Sequence, residues 1–304
     1  MPSASARLVG SGTIPLRIWI MAARPRTLPA AVAPVLVGTA LAGSEGTFRP
    51  LAFCAALVGS IFIQIGTNLS NDYSDARRGA DTEERLGPVR VTAGGLVPPR
   101  KVLVATWLAF GIAVFAGAYL IALVGWELLA IGAASILAGV LYTGGPRPYG
   151  YEGLGELFVF LFFGVVAVTG SYYVQTEELT WLALGLSVPT GLLAAAILVV
   201  NNIRDVDTDR RAGKRTLAVR LGRERARRLF TAMVTLPFAI VVALTVADGR
   251  PALLLALLSA PLVPPLVRTV SSRTDGPSLN QALARCGALL ALFSLLLSAG
   301  LLLN

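Results

Sequence analysis

A chain of 304 residues that is 55% hydrophobic and only 14% charged cannot cover a soluble globule with polar surface; ordinary soluble domains carry about 25% charged residues. Its net charge of +9 suggests nucleic acid, but the distribution of that charge, given below, points to a membrane instead. There is no histidine, which excludes His triads, His-based general acid–base catalysis and His metal sites together.

The apolar runs are long enough to cross a hydrocarbon layer about 30 Å thick, which takes about 20 helical residues. In chain order they fall at 27–43, 51–70, 102–122, 126–143, 154–174, 181–200, 229–247, 251–267 and 284–303. Each span must satisfy its own backbone polar groups in lipid, so this pattern predicts an all-α integral membrane bundle of about nine transmembrane helices. The whole chain, 1–304, reads as one membrane-embedded domain, with residues 1–16 a flexible tail. The N-terminal arginines, the apolar stretch and Ala40-Leu41-Ala42 also resemble a secretory signal with its cleavage site. Cleavage would remove one span and break the charge asymmetry, so the segment is read as a retained first helix.

With the N-terminus in the cytoplasm, nine spans place 1–26, 71–101, 144–153, 201–228 and 268–283 inside. Counting Arg285 at the edge of the last span, these hold 24 of the 26 Lys and Arg residues; only Arg49 and Arg250 fall outside. Basic residues in cytoplasmic loops set orientation, so the C-terminus is expected outside and the location is the cell (inner or plasma) membrane. Cys54 and Cys286 lie in different spans near opposite faces, which argues for two small buried residues and against a disulfide.

The two longest connections hold six of the eight Asp residues and repeat one pattern. The first reads Asn71-Asp72-Tyr73-Ser74-Asp75, then Ala76-Arg77-Arg78-Gly79-Ala80-Asp81. The second reads Asn201-Asn202-Ile203-Arg204-Asp205, then Val206-Asp207-Thr208-Asp209. In a continuing helix, Asn71 and Asp75 share one face, as do Asn201, Asp205 and Asp209, with Asn68 near the first set. Asp207 points away and is read as solvated. Gly79 breaks the first helix and lets Asp81 fold back. So many carboxylates and amide oxygens, with Asp72 as an extra, need a cation among them, and hard oxygen ligands in this number suit Mg²⁺. One Asp-rich loop would read as helix caps and surface ion pairs; two with matched spacing favour metal. Corresponding motifs in two halves also suggest a pseudo-repeated bundle with one site between them.

Among the accompanying cations, Lys214 in Gly213-Lys214-Arg215-Thr216 and Arg90 in Gly87-Pro88-Val89-Arg90 stand in turn-rich segments that can aim them at a phosphate. The rest read as orientation signals and anionic-lipid contacts. A third element, Tyr142-Thr143-Gly144-Gly145-Pro146-Arg147-Pro148-Tyr149-Gly150-Tyr151, is too rich in Gly and Pro for a helix. Tyr142, Tyr149 and Arg147 are expected in the pocket wall. Phe158, Phe160, Phe162, Phe163, Tyr172 and Tyr173 follow, and either pack on lipid or stabilise a cation.

With these residues in place, Asn71-x-x-x-Asp75-x-x-x-Gly79-x-Asp81 and Asn201-x-x-x-Asp205-x-x-x-Asp209 resemble the UbiA-type intramembrane prenyltransferases over nearly the whole chain. Arg90-Val-Thr-Ala-Gly-Gly95, Tyr142-Thr-Gly-Gly145, Gly153-Leu-Gly-Glu156 and Gly213-Lys-Arg-Thr-Leu217 are similar to the branch acting on 1,4-dihydroxy-2-naphthoate. One departure is Gly79, where the superfamily often has Asp; Asp81 stands two residues later. The resemblance implies a helical bundle open laterally to lipid, with Mg²⁺ held by Asn71, Asp75, Asp81, Asn201, Asp205 and Asp209. It implies a polyprenyl diphosphate and the naphthoate as substrates, and demethylmenaquinone, diphosphate and carbon dioxide as products. Arg90, Lys214 and Arg147 would then neutralise the diphosphate. A lipid or organic-anion transporter would carry charges near mid-span, where this sequence has almost none. A CDP-alcohol phosphotransferase would need an Asp-x-x-Asp-Gly motif that is missing. Prenylation of 4-hydroxybenzoate or homogentisate is the nearer alternative.

Overall fold

The computed structural model describes residues 13–80 and 86–303. Most of the expected N-terminal tail, and Asp81, lie outside the described residues. Eleven helices follow one another, with no strand among the described residues. A short α1 (Leu16–Ala23) precedes α2 (Pro29–Ser44), then α3 (Pro50–Arg77), α4 (Pro99–Val124) and α5 (Glu127–Leu141). After a loop come α6 (Gly155–Thr176) and α7 (Trp181–Arg211). A five-residue α8 (Leu217–Leu221) leads into α9 (Arg223–Asp248), α10 (Pro251–Ser272) and α11 (Gly276–Leu302). Proline opens α2, α3, α4 and α10, where its missing N–H has no intrahelical partner to lose.

Seven of these helices are long and apolar enough to cross a membrane, up to eight if the bent pair Leu16–Thr27 and Pro29–Ser44 counts as one span. Every sequence-predicted span is a helix, but the count of nine is not reproduced, because α5 has only 15 residues. At 1.5 Å per residue it reaches about 22 Å, short of the hydrocarbon core. α1 and α2 are bent by 54° at the break between them. Arg24 sits there in the left-handed region (φ 54°) and Pro25 and Pro29 follow, which stops a straight helix from forming.

α7 is the central element. Within its apolar stretch 72% of residues are buried, more than in any other spanning helix. Leu186, Leu193, Ala194, Val200 and Ile203 of α7 join Val37 and Leu41 of α2, Phe230 and Val234 of α9, and Phe293 and Leu297 of α11 in one core. Where α6 crosses α7, Gly164 meets Gly191 so closely that a Cβ on Gly164 would lie 2.6 Å from the Gly191 Cα. Glycine allows the two backbones to touch there. A smaller cluster of Ala22, Leu69, Val91, Val97 and Val102 joins α1, α3 and α4 under the loop that follows α3.

The two bundle ends differ. The end opposite the Asp-rich motifs carries Arg49 and Arg250, and each is matched by acids. Arg49 pairs with Glu177 at 2.9 Å, and Arg250 with Asp248 at 2.7 Å while donating to the Ser44 hydroxyl at 2.8 Å. The Tyr172 hydroxyl donates to Glu45 beside them at 2.6 Å.

Candidate active site

A cavity of about 780 Å³ opens at the motif end and runs among α3, α4, α5, α6 and α7. Its polar end is lined by Asn71 and Asp75 of α3, by Asn201, Asp205 and Asp209 of α7, and by Arg90 and Lys214 from the two loops. Its other end is apolar, walled by residues such as Ile63, Leu120, Ile136 and Val166.

The first motif from Asn71 through Asp75 and the second from Asn201 through Asp209 lie on helices that continue past the apolar stretches. α3 runs to Arg77 and the chain then turns at Gly79, whose φ of 64° few side chains tolerate. Asp75 is buried and gathers three segments that are distant in sequence. Its Oδ1 accepts from the Tyr151 hydroxyl at 2.6 Å. Its Oδ2 lies 3.4 Å from Arg90 Nη2 and 3.5 Å from Lys214 Nζ. The Lys214 ammonium also stands 4.8 Å over the Tyr151 ring. Asn71 Oδ1 accepts from Thr143 at 3.0 Å, and Asn68 Nδ2 donates to the Ala23 carbonyl at 3.0 Å and to Thr27 at 3.2 Å.

α7 carries the second motif to Arg211 without a break. Asp205 is buried and gripped by its neighbour Arg204, with Nε to Oδ1 at 2.8 Å and Nη2 to Oδ2 at 2.6 Å. Arg204 Nη2 also reaches Asn201 Oδ1 at 2.8 Å. Asp207 is exposed and pairs with Arg223 at 2.7 Å, as its place on the opposite face predicts.

The wall between the polar and apolar ends is aromatic. Tyr142 meets Tyr149 edge-on at 5.5 Å, Tyr149 stacks on Phe158 at 4.1 Å, and Phe158 on Phe162 at 6.1 Å. All four line the cavity. Phe160–Val166 forms a π-helical stretch, a widening often found at functional sites. The Tyr149 hydroxyl donates to the Ala138 carbonyl at 2.8 Å, and burial pushes its pKa well above the ordinary tyrosine value. It stays protonated through the physiological range.

The donors facing the cavity are carboxylate and amide oxygens, which suit Mg²⁺, an ion that uses few protein carboxylates and keeps water and substrate phosphates in its shell. Among the described residues, no three Cys, Asp or Glu side chains come together to hold an ion unaided. The residues therefore fit a cation completed by phosphate oxygens, and they do not form an all-protein cage.

Two expectations are corrected. Asp72 does not line the cavity: its two oxygens accept the backbone N–H groups of Val91 at 3.1 Å and Thr92 at 2.9 Å. It fastens the loop that carries Arg90, and lies on α3 away from Asn71 and Asp75. Arg147 is exposed and outside the cavity lining. The Gly-Pro loop is pinned instead by Arg78, which donates to the Thr143 carbonyl at 3.1 Å and to that of Gly145. Asn68, Asn71, Asp75, Arg90, Tyr142, Tyr149, Asn201, Asp205, Asp209 and Lys214 all line one cavity. Tyr151, Arg24, Thr27 and Gln64, which no motif marks out, also line it. An aromatic hydroxyl in the segment that holds Tyr142, Tyr149 and Arg147 is the signal that points to Tyr151.

Residues 31–292 match the model of the UbiA prenyltransferase family. Among relatives, the chain is 40% identical over 283 residues to 1,4-dihydroxy-2-naphthoate octaprenyltransferase of Mycobacterium tuberculosis, covering 93% of this chain and 96% of that one. It is 39% identical over 285 residues to the protein of the same description in Escherichia coli, with 90% and 91% covered. Its fold is similar to that of a UbiA homolog from Archaeoglobus fulgidus bound to DMAPP and Mg²⁺, with a TM-score of 0.66, 15% identity, and 93% and 98% coverage.

Proposed function

Because the chain belongs to the UbiA prenyltransferase family, we propose that it transfers a polyprenyl group from a polyprenyl diphosphate to 1,4-dihydroxy-2-naphthoate in a Mg²⁺-dependent reaction. The observation that carries this reading is the convergence on Asp75 of Arg90, Tyr151 and Lys214, at the polar mouth of an otherwise apolar cavity. That arrangement suits a molecule with an anionic head and a hydrocarbon tail.

Asn71, Asp75, Asn201, Asp205 and Asp209 are the described residues that would hold the cation, and the sequence adds Asp81. Bound there, Mg²⁺ would supply Lewis-acid stabilisation of the departing diphosphate. Arg90 and Lys214 meet the same diphosphate with charge-assisted hydrogen bonds. The bond between the allylic carbon and the diphosphate oxygen breaks, and its electron pair leaves with the oxygen. Tyr142, Tyr149, Phe158 and Phe162 turn aromatic surface toward the allylic cation and shield it from water. The electron-rich ring attacks at the carbon bearing the carboxylate. Carbon dioxide then departs from that carboxylate and the electrons of its C–C bond return to the ring, so that charge balances with diphosphate as the leaving group and no proton to place. This balance leaves the product as a quinol, with demethylmenaquinone one separate oxidation away. No side-chain nucleophile is required, in keeping with a chain that lacks histidine.

We also propose nine crossings with the site facing the cytoplasm, α5 included and α1–α2 forming the first. Support comes from the sequence, in which 24 of 26 Lys and Arg residues, counting Arg285, fall in the segments that nine crossings assign to the cytoplasm. The reaction is tested by giving purified protein Mg²⁺, a polyprenyl diphosphate and, in turn, the naphthoate, 4-hydroxybenzoate and homogentisate. The expected preference for the naphthoate is on the order of 10²-fold in kcat/KM. Equal use of the three acceptors would overturn the acceptor assignment, and no product with any would overturn the reaction.

A further inference from the structure

Arg204 is among the largest fully buried side chains, and it is absent from the cavity lining. It therefore touches no substrate in the chemistry above. Burying a guanidinium is costly unless its donors are met, and here carboxylate and amide oxygens meet them. Asp205 takes two hydrogen bonds, Asn201 Oδ1 a third at 2.8 Å, and Asn280 Oδ1 of α11 a fourth from Nη1 at 2.5 Å. Asn201 and Asp205 are the first two positions of the second motif, one turn apart. Asn280 in turn donates from Nδ2 to the Leu86 carbonyl at 3.1 Å, in the loop that holds Arg90.

We propose that Arg204 is a positioning residue that presets Asn201 and Asp205 for a divalent cation, with Asn280 as its anchor. The inference rests on the reading that those two residues are ligands. A carboxylate has about four lone-pair sites, and the arginine fork takes one on each oxygen. The others remain available on the side facing the cavity, which Asn201 and Asp205 both line. The Asn201 carbonyl oxygen likewise keeps a second lone pair. Fixed in advance, these oxygens need not be frozen when the cation arrives, and that conformational entropy is not lost at binding. The opposite outcome has a physical basis too. A guanidinium beside Asp205 repels Mg²⁺, so an Arg204 that merely stood in for the metal would weaken its binding, and removing it would tighten that binding. The two roles differ in sign.

The test uses the full chain in detergent with Mn²⁺ in place of Mg²⁺ and inorganic diphosphate present. Protein-bound metal is counted from the loss of the free Mn²⁺ EPR signal beyond that caused by the same diphosphate concentration without protein. Arg204→Gln is expected to weaken Mn²⁺ about 10- to 100-fold, the usual effect of removing a group that orients a ligand. Arg204→Lys should stay weakened, because an ammonium cannot fork across two oxygens. Asn280→Ala, which leaves the fork but cuts its anchor, should give a smaller loss in the same direction. In turnover assays the half-saturating Mg²⁺ concentration should rise in these variants, with kcat largely recovered at saturation. Mn²⁺ affinity that is unchanged or tighter in Arg204→Gln overturns the inference, as does a lowered melting temperature alone. If Arg204→Gln does not fold, unchanged Mn²⁺ affinity in Asn280→Ala has the same force. Asp205→Ala separates the two readings. If it too leaves Mn²⁺ binding intact, the ligand assignment itself falls, whereas if it weakens binding and Arg204→Gln does not, only the positioning role falls.

Discussion

Replacing Lys214 with Gln isolates the charge that we propose meets the diphosphate. The Nζ lies 3.5 Å from Asp75 Oδ2, and its side chain is 9% exposed. At that separation, an effective dielectric of about 20 gives an attraction of roughly 5 kcal/mol before desolvation is counted. The folded protein should nevertheless tolerate the loss, because Arg90 stays at 3.4 Å from the same oxygen and Tyr151 still donates to Asp75. The effect should appear when substrate arrives. One charge-assisted hydrogen bond to the diphosphate is worth about 1.5–3 kcal/mol, or roughly 10- to 100-fold in kcat/KM. Steady-state kinetics with varied polyprenyl diphosphate should show it in KM, or in kcat if the contact tightens as the leaving group departs. The KM for the aromatic acceptor should move much less. Arg228→Gln serves as the comparison, being exposed in the same basic stretch beside Arg227. Equal small effects at Lys214 and Arg228 would refute the reasoning and return Lys214 to the orientation signals.

Asp75→Ala and Asp205→Ala should each lower turnover by about 10²-fold or more while the protein still inserts, because each removes stabilisation of developing charge; near-normal activity at saturating Mg²⁺ would refute the assignment for that residue. Asp72→Ala should behave differently, leaving two buried N–H groups without an acceptor and destabilising the protein by roughly 2–4 kcal/mol. Its half-saturating Mg²⁺ concentration should not change, and a rise without loss of melting temperature would make Asp72 a ligand after all. A reporter fused after Asn304 should be outside the cell while one inserted between Arg211 and Lys214 is cytoplasmic; both on one side would end the nine-crossing topology.

The helical class, both motifs and the shared face of Asn71 with Asp75 and of Asn201 with Asp205 were legible because helical periodicity and hydrophobic length are local properties. Asp207 was read correctly for the same reason: half a turn from its neighbours, it had to face away. Asp72 and Arg147 were misplaced because their partners are set by loops. Nothing in the residues around Asp72 shows that the N–H groups of Val91 and Thr92 will come to it. Arg147 shares its loop with Tyr149 and Tyr151, but the turn through Gly145 and Pro146 leaves it exposed. Arg204 was hidden among ten basic residues in 201–228, and only tertiary packing distinguishes a buried guanidinium from an orientation signal. At α5 and at the α1–α2 bend the helices are shorter or more bent than the apolar stretches suggest, so among the described residues length supports seven or eight crossings and only the charge pattern argues for the ninth.

The unequal burial of the helices divides the protein into a part that the bilayer supports and a part that it does not. α7, which carries Asn201, Asp205 and Asp209, is enclosed by other helices, and its contact with α6 is backbone against backbone at Gly164 and Gly191. α5 buries only Ala138 and Gly139 among its side-chain positions, yet Leu129, Ile131 and Ile136 of that helix wall the apolar end of the cavity. Lateral pressure and membrane thickness should therefore act on the wall of the cavity's apolar end more than on the motif-bearing helix α7. Moving the protein from a thick to a thin bilayer, or into a short-chain detergent, should alter the use of long prenyl donors first. Turnover of the shortest donors should persist until α7 itself loosens.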